Sequence, residues 1–137
     1  ACAFAISKAM VNSGGADAVA HFIIGMSHHY GPHVLLAAMF IITNLFTELI
    51  TNNAAAALAF PLALSISSQM GVSPMPFFVV ICMAASASFS TPIGYQTNLI
   101  VQGIGNYKFT DFVRIGLPLN IITFLISIFL IPLIWPF

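Results

Sequence analysis

The sequence predicts an all-α membrane protein, and three observations lead to that prediction. Of the 137 residues, 60% are hydrophobic and only 4% are charged, whereas a typical soluble domain is about 25% charged. Long apolar runs are separated by clusters of Gly, Pro and His. The net charge is zero, without the basic patch that nucleic-acid binding requires. We therefore expect a multi-pass integral protein of the plasma or inner membrane. Its expected partner is the lipid bilayer, and no nucleic-acid partner is expected.

The first two apolar segments are short. Residues 1–11 are apolar apart from Lys8, and the run ends at an Asn-Ser-Gly-Gly sequence. The next helix is predicted from Asp17, a residue type that favours the N-cap position, to Met26. This second helix is shorter than the roughly 20 residues that a crossing of the bilayer requires.

A polar turn is predicted over residues 27–33, where three histidines flank a Gly-Pro pair. Closely spaced histidines can bind iron or zinc, and a membrane-embedded His-box metalloenzyme is therefore one alternative. The carboxylate and the further His boxes of such enzymes are missing from the sequence. A surface turn is therefore favoured at these residues. For the chain as a whole, we expect no catalytic residue, no cofactor and no iron or zinc site. The three histidines are His28, His29 and His33.

A long apolar stretch follows, and polar residues interrupt it in the middle. Residues 34–50 and 54–69 are each predicted to be helical. Each would be about 24–26 Å long at 1.5 Å per residue, less than the hydrocarbon core of about 30 Å. The polar residues between them predict a re-entrant hairpin with its tip near residues 51–53, inside the membrane.

A second interruption lies between helices predicted over residues 76–89 and 95–101. Pro92 removes a backbone donor, and Gly94 permits dihedral angles that other residues avoid. A broken helix, with its break near residues 90–94, is therefore predicted.

The last apolar segment, residues 116–137, is long enough to span the bilayer. A short polar segment that contains Lys108, Asp111 and Arg114 precedes it. No Lys or Arg follows it, so the positive-inside rule places residues 104–115 in the cytoplasm.

One face of the segment before the first interruption is polar. The spacing of these residues at 3.6 per turn places them together, and lipid cannot satisfy their hydrogen bonds. They either pack against neighbouring helices or line an ion or substrate path, which an intramembrane acid such as Glu48 typically marks. The stripe consists of Thr43, Asn44, Thr47, Glu48, Thr51 and Asn52.

The two interruptions together indicate a secondary transporter. A helix that begins in mid-membrane presents free N–H groups that favour an anion, and the preceding helix ends in carbonyls that suit sodium. Paired interrupted segments near the midplane are the sequence pattern of transporter sites. A Pro-kinked helix plus an ordinary loop is the simpler alternative.

Two motifs at the interruptions carry a family resemblance. The sequence Thr-Glu-Leu-Ile-Thr-Asn-Asn-Ala-Ala-Ala-Ala over residues 47–57, followed by Pro61, resembles the second signature hairpin of the divalent anion:sodium symporter family. Residues 90–98, Ser-Thr-Pro-Ile-Gly-Tyr-Gln-Thr-Asn, resemble its second unwound loop. Residues 8–14 and 109–120 resemble the opening of its second repeat and the entry to its last helix. That family comprises sodium-coupled dicarboxylate, citrate and sulfate carriers with a citrate-transporter-like domain.

The resemblance implies an architecture of two inverted repeats, each with a hairpin and an unwound helix, in a dimer that works by an elevator motion. Residues 1–137 would form the carboxyl-terminal repeat, and the first repeat would lie upstream. The tip reads Thr-Asn-Asn where the family usually has Ser-Asn-Thr. The Gly-Tyr-Gln-Thr-Asn sequence of residues 94–98 is more similar to family members proposed to move sulfate than to the dicarboxylate carriers.

The resemblance also implies site residues. Sodium would bind at Thr47, Thr51, Asn52 and the carbonyl of Ser90, and the anion at Asn52, Asn53, Thr91 and Pro92, with Glu48, Asn44 and Asn98 in support. The expected function is sodium-coupled symport of sulfate or a di- or tricarboxylate. A cation/proton antiporter that titrates at Glu48, and a non-transporting membrane subunit, remain as alternatives.

Overall fold

The computed structural model describes residues 2–26 and 31–137, which form seven α-helices and no strand. The described part of the chain therefore confirms the all-α prediction. The helices are α1 (Cys2–Asn12), α2 (Gly15–Met26), α3 (Gly31–Leu49), α4 (Asn52–Met70), α5 (Met75–Ser86), α6 (Gln96–Gly105) and α7 (Phe109–Ile134).

Helices α3 and α4 together form the centre of the packing. Helix α3 contacts α2, α4, α5 and α7, and α4 contacts α1, α2, α3 and α5. The buried apolar residues of α3 recur one turn apart, as expected for one face of a helix. Three of the buried residues of α4 are alanines, and these small side chains allow close approach between helices. The buried core includes Leu35, Leu36, Met39 and Phe40 of α3, Ala59, Leu62, Ala63 and Ile66 of α4, and Phe77, Val80, Ile81 and Ala84 of α5.

Helix α7 begins at Phe109, about two turns before the predicted start at residue 116. The backbone N–H of Lys108 donates to Asp111 Oδ2 at 2.9 Å, and this contact starts the helix. A carboxylate in the first turn is also favoured by the helix dipole. The helix ends at Ile134, because Trp135 precedes a proline and takes an extended conformation.

The predicted polar turn at residues 27–33 is partly helical. Helix α3 begins at Gly31, so Pro32 and His33 belong to its first turn, where proline is well tolerated. His33 is exposed, and its ring lies 5.1 Å from that of Phe137. His28 and His29 lie outside the described residues.

Two of the described helices, α3 with 19 residues and α7 with 26, are long and apolar enough to cross a membrane. Large apolar side chains of α7 are exposed on several sides of the helix, and only Gly116, Ser127 and Ile131 are buried. These side chains need a covering of lipid or of further protein.

Candidate functional site

The first interruption is short. Helix α3 ends at Leu49 and α4 begins at Asn52, so that only residues 50–51 link them. Thr51 holds the N-cap position in an extended conformation, and its side chain makes no capping hydrogen bond. The first helical bond runs from Ala55 N–H to Thr51 O, at 2.9 Å. The preceding N–H groups at the start of α4 therefore have no acceptor within the helix.

The second interruption is longer than the predicted one. Helix α5 ends at Ser86 and α6 begins at Gln96, and we call residues 87–95 between them the break segment. Tyr95 holds the N-cap position of α6, again extended and without a side-chain cap. The N-terminus of α6 is therefore as open as that of α4.

A cavity of about 420 Å³ lies between these two open N-termini. It is lined by Thr51, Asn52, Asn53, Gly94, Tyr95, Gln96 and Thr97. None of these side chains carries a charge, and both helices direct the positive end of their dipole toward the cavity. Uncapped N–H groups and two converging dipoles favour an anion.

Only part of the predicted substrate set lines this cavity. Asn52 and Asn53 do so. Pro92 is buried and lies outside the lining. Thr91 is also outside it, and its hydroxyl donates to the main-chain carbonyl of Glu48 at 2.8 Å. The second wall is instead formed by residues 94–97, which belong to the predicted motif of residues 90–98 but lie after its expected anion ligands Thr91 and Pro92.

The predicted sodium residues divide in the same way. The hydroxyl of Thr47 lies 2.7 Å from the carbonyl oxygen of Ala85 and 2.9 Å from Asn52 Oδ1. One hydroxyl proton serves only one of these two acceptors at a time, so the group is rich in oxygen and poor in protons. Thr51 is exposed at the cavity. Ser90 lies in a separate cluster around Glu48.

Glu48 is buried, with 8% of its surface exposed, and its carboxylate only accepts hydrogen bonds. Oε1 accepts from the N–H of Ser90 at 2.9 Å, and Oε2 from the N–H of Thr91 at 2.8 Å. The amide of Asn120 donates to Oε1 at 2.9 Å. The acid of the polar stripe therefore binds the backbone of the break segment.

Two further amides of the predicted set bind carbonyls of the same segment. Asn44 donates to the carbonyl of Ala87 at 2.6 Å, and Asn98 lies 3.3 Å from the carbonyls of Ser88 and Thr91. Buried main-chain groups outside regular structure need such partners. Asn44 and Glu48 of the stripe thus face protein, whereas Leu45 and Leu49 on the same helix are exposed.

Two glycines bring backbones into direct contact around this network. A Cβ at Gly94 would collide with Ser88 Oγ and the Thr47 carbonyl, and would lie 3.2 Å from the Cα of Glu48. A Cβ at Gly116 would collide with the Phe89 carbonyl and lie 2.7 Å from the Cα of Ser90. These positions have no room for a side chain.

Sequence reasoning missed Asn120 and the carbonyl of Ala85 as members of the network. Asn120 is an amide within the mostly apolar part of α7, and that contrast could have identified it. No side-chain pattern identifies a main-chain carbonyl as a ligand.

Comparisons with known proteins place the chain in a family. The sequence model of the citrate transporter family matches residues 1–137. The chain is 40% identical to the uncharacterized transporter YfbS of Escherichia coli K12, over 94% of this chain and 21% of that protein. It is 36% identical to sodium/sulfate cotransporter 1 of Chlamydomonas reinhardtii, over 96% of this chain and 15% of that protein.

A more distant relative is the Na⁺/citrate cotransporter of Rattus norvegicus, 28% identical over 87% of this chain and 21% of that protein. The chain spans about a fifth of the length of the curated relatives that it matches. The resemblance to the divalent anion:sodium symporter family is thereby confirmed.

Proposed function

Because the chain belongs to the citrate transporter family, whose members are membrane transport proteins, we propose that it forms part of a sodium-coupled symporter of a small divalent anion. The substrate is sulfate or a di- or tricarboxylate, and residues 1–137 form the carboxyl-terminal repeat. Sodium and the anion bind at the ends of the two interrupted segments and cross the plasma or inner membrane by alternating access.

One observation carries this proposal: an oxygen cluster lies beside an anion-favouring cavity, and Asn52 belongs to both. Its Oδ1 joins Thr47 Oγ1 and the Ala85 carbonyl, where a sodium ion would supply the positive charge that one proton cannot. The same residue lines the cavity at the start of α4. Opposite charges held close together away from bulk water stabilise each other, so binding of one ion favours binding of the other.

The interruptions supply the route in this proposal. The α3–α4 pair is a re-entrant hairpin with its tip at residues 50–53, and α5, the break segment and α6 form one broken helix. Each backbone group that lies at membrane depth then faces protein or a water-filled cavity. An inverted first repeat elsewhere in the full-length protein completes the site, and the assembly is a homodimer.

Sulfate is the favoured substrate. The chain is more similar to sodium/sulfate cotransporter 1 of Chlamydomonas reinhardtii than to the citrate cotransporter of Rattus norvegicus, at 36% against 28% identity. The cavity offers neutral side chains and backbone N–H groups but no Lys or Arg. Such donors suit a compact oxyanion, which can accept hydrogen bonds on every side.

The experiment is uptake of labelled sulfate and citrate into proteoliposomes that contain the full-length protein. With sodium outside, uptake of one anion is expected to exceed that with potassium about tenfold or more. The external pH should not fall when sodium is added, whereas an antiporter titrating at Glu48 would release protons. Uptake that is indifferent to sodium overturns the coupling.

Asn52→Ala tests the shared residue. The substitution removes an oxygen from the sodium cluster and an amide from the cavity, so half-saturating sodium should rise about tenfold or more, and the anion KM should rise with it. Ser68→Ala, at the exposed far end of α4, is the control and should leave both constants unchanged. Wild-type sodium dependence in Asn52→Ala would refute the site assignment.

A further inference from the structure

We propose that Asn120 is a positioning residue of the transport site: its side-chain amide joins α7 to the break segment and so fixes the position of Ser90. This role rests on the proposed function, since Ser90 is an expected sodium ligand through its carbonyl. Asn120 lines neither the described cavity nor the Thr47 oxygen cluster. Its effect on transport is therefore exerted through other residues.

The contacts of Asn120 converge on one nitrogen. Nδ2 lies 2.8 Å from Ser90 Oγ, 2.9 Å from Glu48 Oε1 and 3.4 Å from Asn44 Oδ1. An amide nitrogen has two protons, so the two shorter contacts use both of them. The reverse orientation would turn the amide oxygen toward a carboxylate, which is repulsive. The acceptors around the group therefore fix its orientation.

Ser90 is held by this amide from two directions. Asn120 binds its hydroxyl directly, and Asn120 also binds the Glu48 carboxylate that accepts the N–H of Ser90. The third part of the clamp is Gly116, one turn earlier in α7, which packs on the Phe89 carbonyl and the Cα of Ser90. Helix α7 thus determines where the peptide groups on either side of Ser90 lie.

The hydrogen bonds of Nδ2 leave the other end of the Asn120 amide without a partner. Its Oδ1 is buried and has no hydrogen-bond partner, although a buried polar atom without a partner is costly. A residue that served packing alone would be better replaced by an apolar one of similar size. The cost of the unpaired oxygen is offset by what the nitrogen does.

The test uses the full-length protein in proteoliposomes and the variant Asn120→Asp, which keeps the shape but places a second carboxylate oxygen against Glu48. Two readouts are needed. Uptake gives half-saturating sodium, the anion KM and the maximal rate, and hydrogen–deuterium exchange reports the backbone of residues 87–95. Thr123→Val is the matched control, because the Thr123 hydroxyl bonds only the carbonyl of Leu119 in its own helix.

Asn120→Asp is expected to raise half-saturating sodium about tenfold or more, and to speed exchange in residues 87–95 while that of α4 stays unchanged. Thr123→Val should alter neither. Asn120→Leu keeps the approximate volume but removes the amide, and it should raise half-saturating sodium and speed exchange in residues 87–95 in the same direction. If Asn120→Asp fails to reach the membrane, Asn120→Leu carries the test, because it adds no charge beside Glu48.

Wild-type sodium dependence together with wild-type exchange in Asn120→Asp would overturn the proposal, as would the same pair of results in Asn120→Leu. The two proposals can fail separately. Sodium-independent uptake by the wild-type protein refutes symport, whereas the exchange measurement tests the clamp whatever ion is coupled.

Discussion

The two interruptions of the helices differ in length and in the partners of their backbone N–H and carbonyl groups. The link between α3 and α4 is two residues long, and it leaves the N-terminus of α4 uncapped at the cavity. The break segment spans residues 87–95. Side chains from α3 and α6 bind part of its backbone, and Asn120 of α7 binds the Ser90 hydroxyl. A long non-helical stretch in a membrane protein needs such partners, whereas a tight link does not.

Within the break segment, some residues are held in place by neighbouring side chains, whereas others are free to face a ligand in the cavity. Between residues 87 and 91, Asn44, Glu48 and Asn98 bind three carbonyls and two N–H groups of the backbone. From Gly94 onward the segment lines the cavity, and its end at Tyr95 leaves the N-terminus of α6 without a side-chain cap. The first half of the break segment thus holds the second half in place, and the predictions below test that division.

The largest effect is expected from Gly94→Ala, at the boundary between the two halves. The new Cβ would collide with the Thr47 carbonyl and Ser88 Oγ, so the segment must move away from α3. Overpacking and misplacement of the site wall should lower the maximal uptake rate about a hundredfold. The measurement is initial uptake, normalised to the amount of protein in the membrane.

Gly103→Ala is the matched control for Gly94→Ala. It lies within α6, and a Cβ there meets nothing within 4 Å. Alanine also favours a helix over glycine, so uptake should be unchanged. If both alanine variants transport like the wild type, the break segment is not fitted against α3 as described.

A smaller effect is expected from Gln96→Glu, on the open wall. The added negative charge would oppose an anion in the cavity, so the anion KM should rise about tenfold while half-saturating sodium changes less. Kinetics at varied anion and fixed sodium check this result. The same change at exposed Gln69, near the end of α4, should have no effect. An unchanged KM in Gln96→Glu would place the anion elsewhere.

The smallest effect is expected far from both interruptions. Ser65 of α4 donates a hydrogen bond to the carboxylate of Asp17 in α2. Ser65→Ala should lower the free energy of unfolding by about 1 kcal/mol, a small loss because Asp17 is exposed and can bind water instead. Transport kinetics should be unchanged. Thermal unfolding of the purified full-length protein measures the loss of stability, with Ser68→Ala as the control. A changed sodium dependence would contradict the separation of this contact from the site.

Much of the fold could be predicted from composition and punctuation. Apolar runs located the helices, and the polar tip at residues 51–53 and Pro92 located both interruptions. The predicted start of α7 was wrong by about two turns. Polar residues before an apolar run are typical of a loop, but here Asp111 accepts the hydrogen bond that starts the helix. The membrane placement of the interruptions remains a prediction.

The site was only partly predictable for a physical reason. Side-chain motifs indicated Thr47, Asn52 and Asn53, and all three lie at the oxygen cluster or the cavity. Their partners depend on how distant segments pack. The Ala85 carbonyl and Asn120 lie 38 and 72 residues from the positions that they contact, Thr47 and Glu48. Periodicity along one helix carries no information on such pairings.

The contact of Gly116 with the Phe89 carbonyl has a consequence for engineering. The two main chains touch here without an intervening side chain, so no substitution at residue 116 can change their separation in small steps. Attempts to widen the range of transported anions should therefore leave residue 116 as glycine. They should diversify Gln96 and Thr97 instead, where side chains face open space and each size of residue can be sampled.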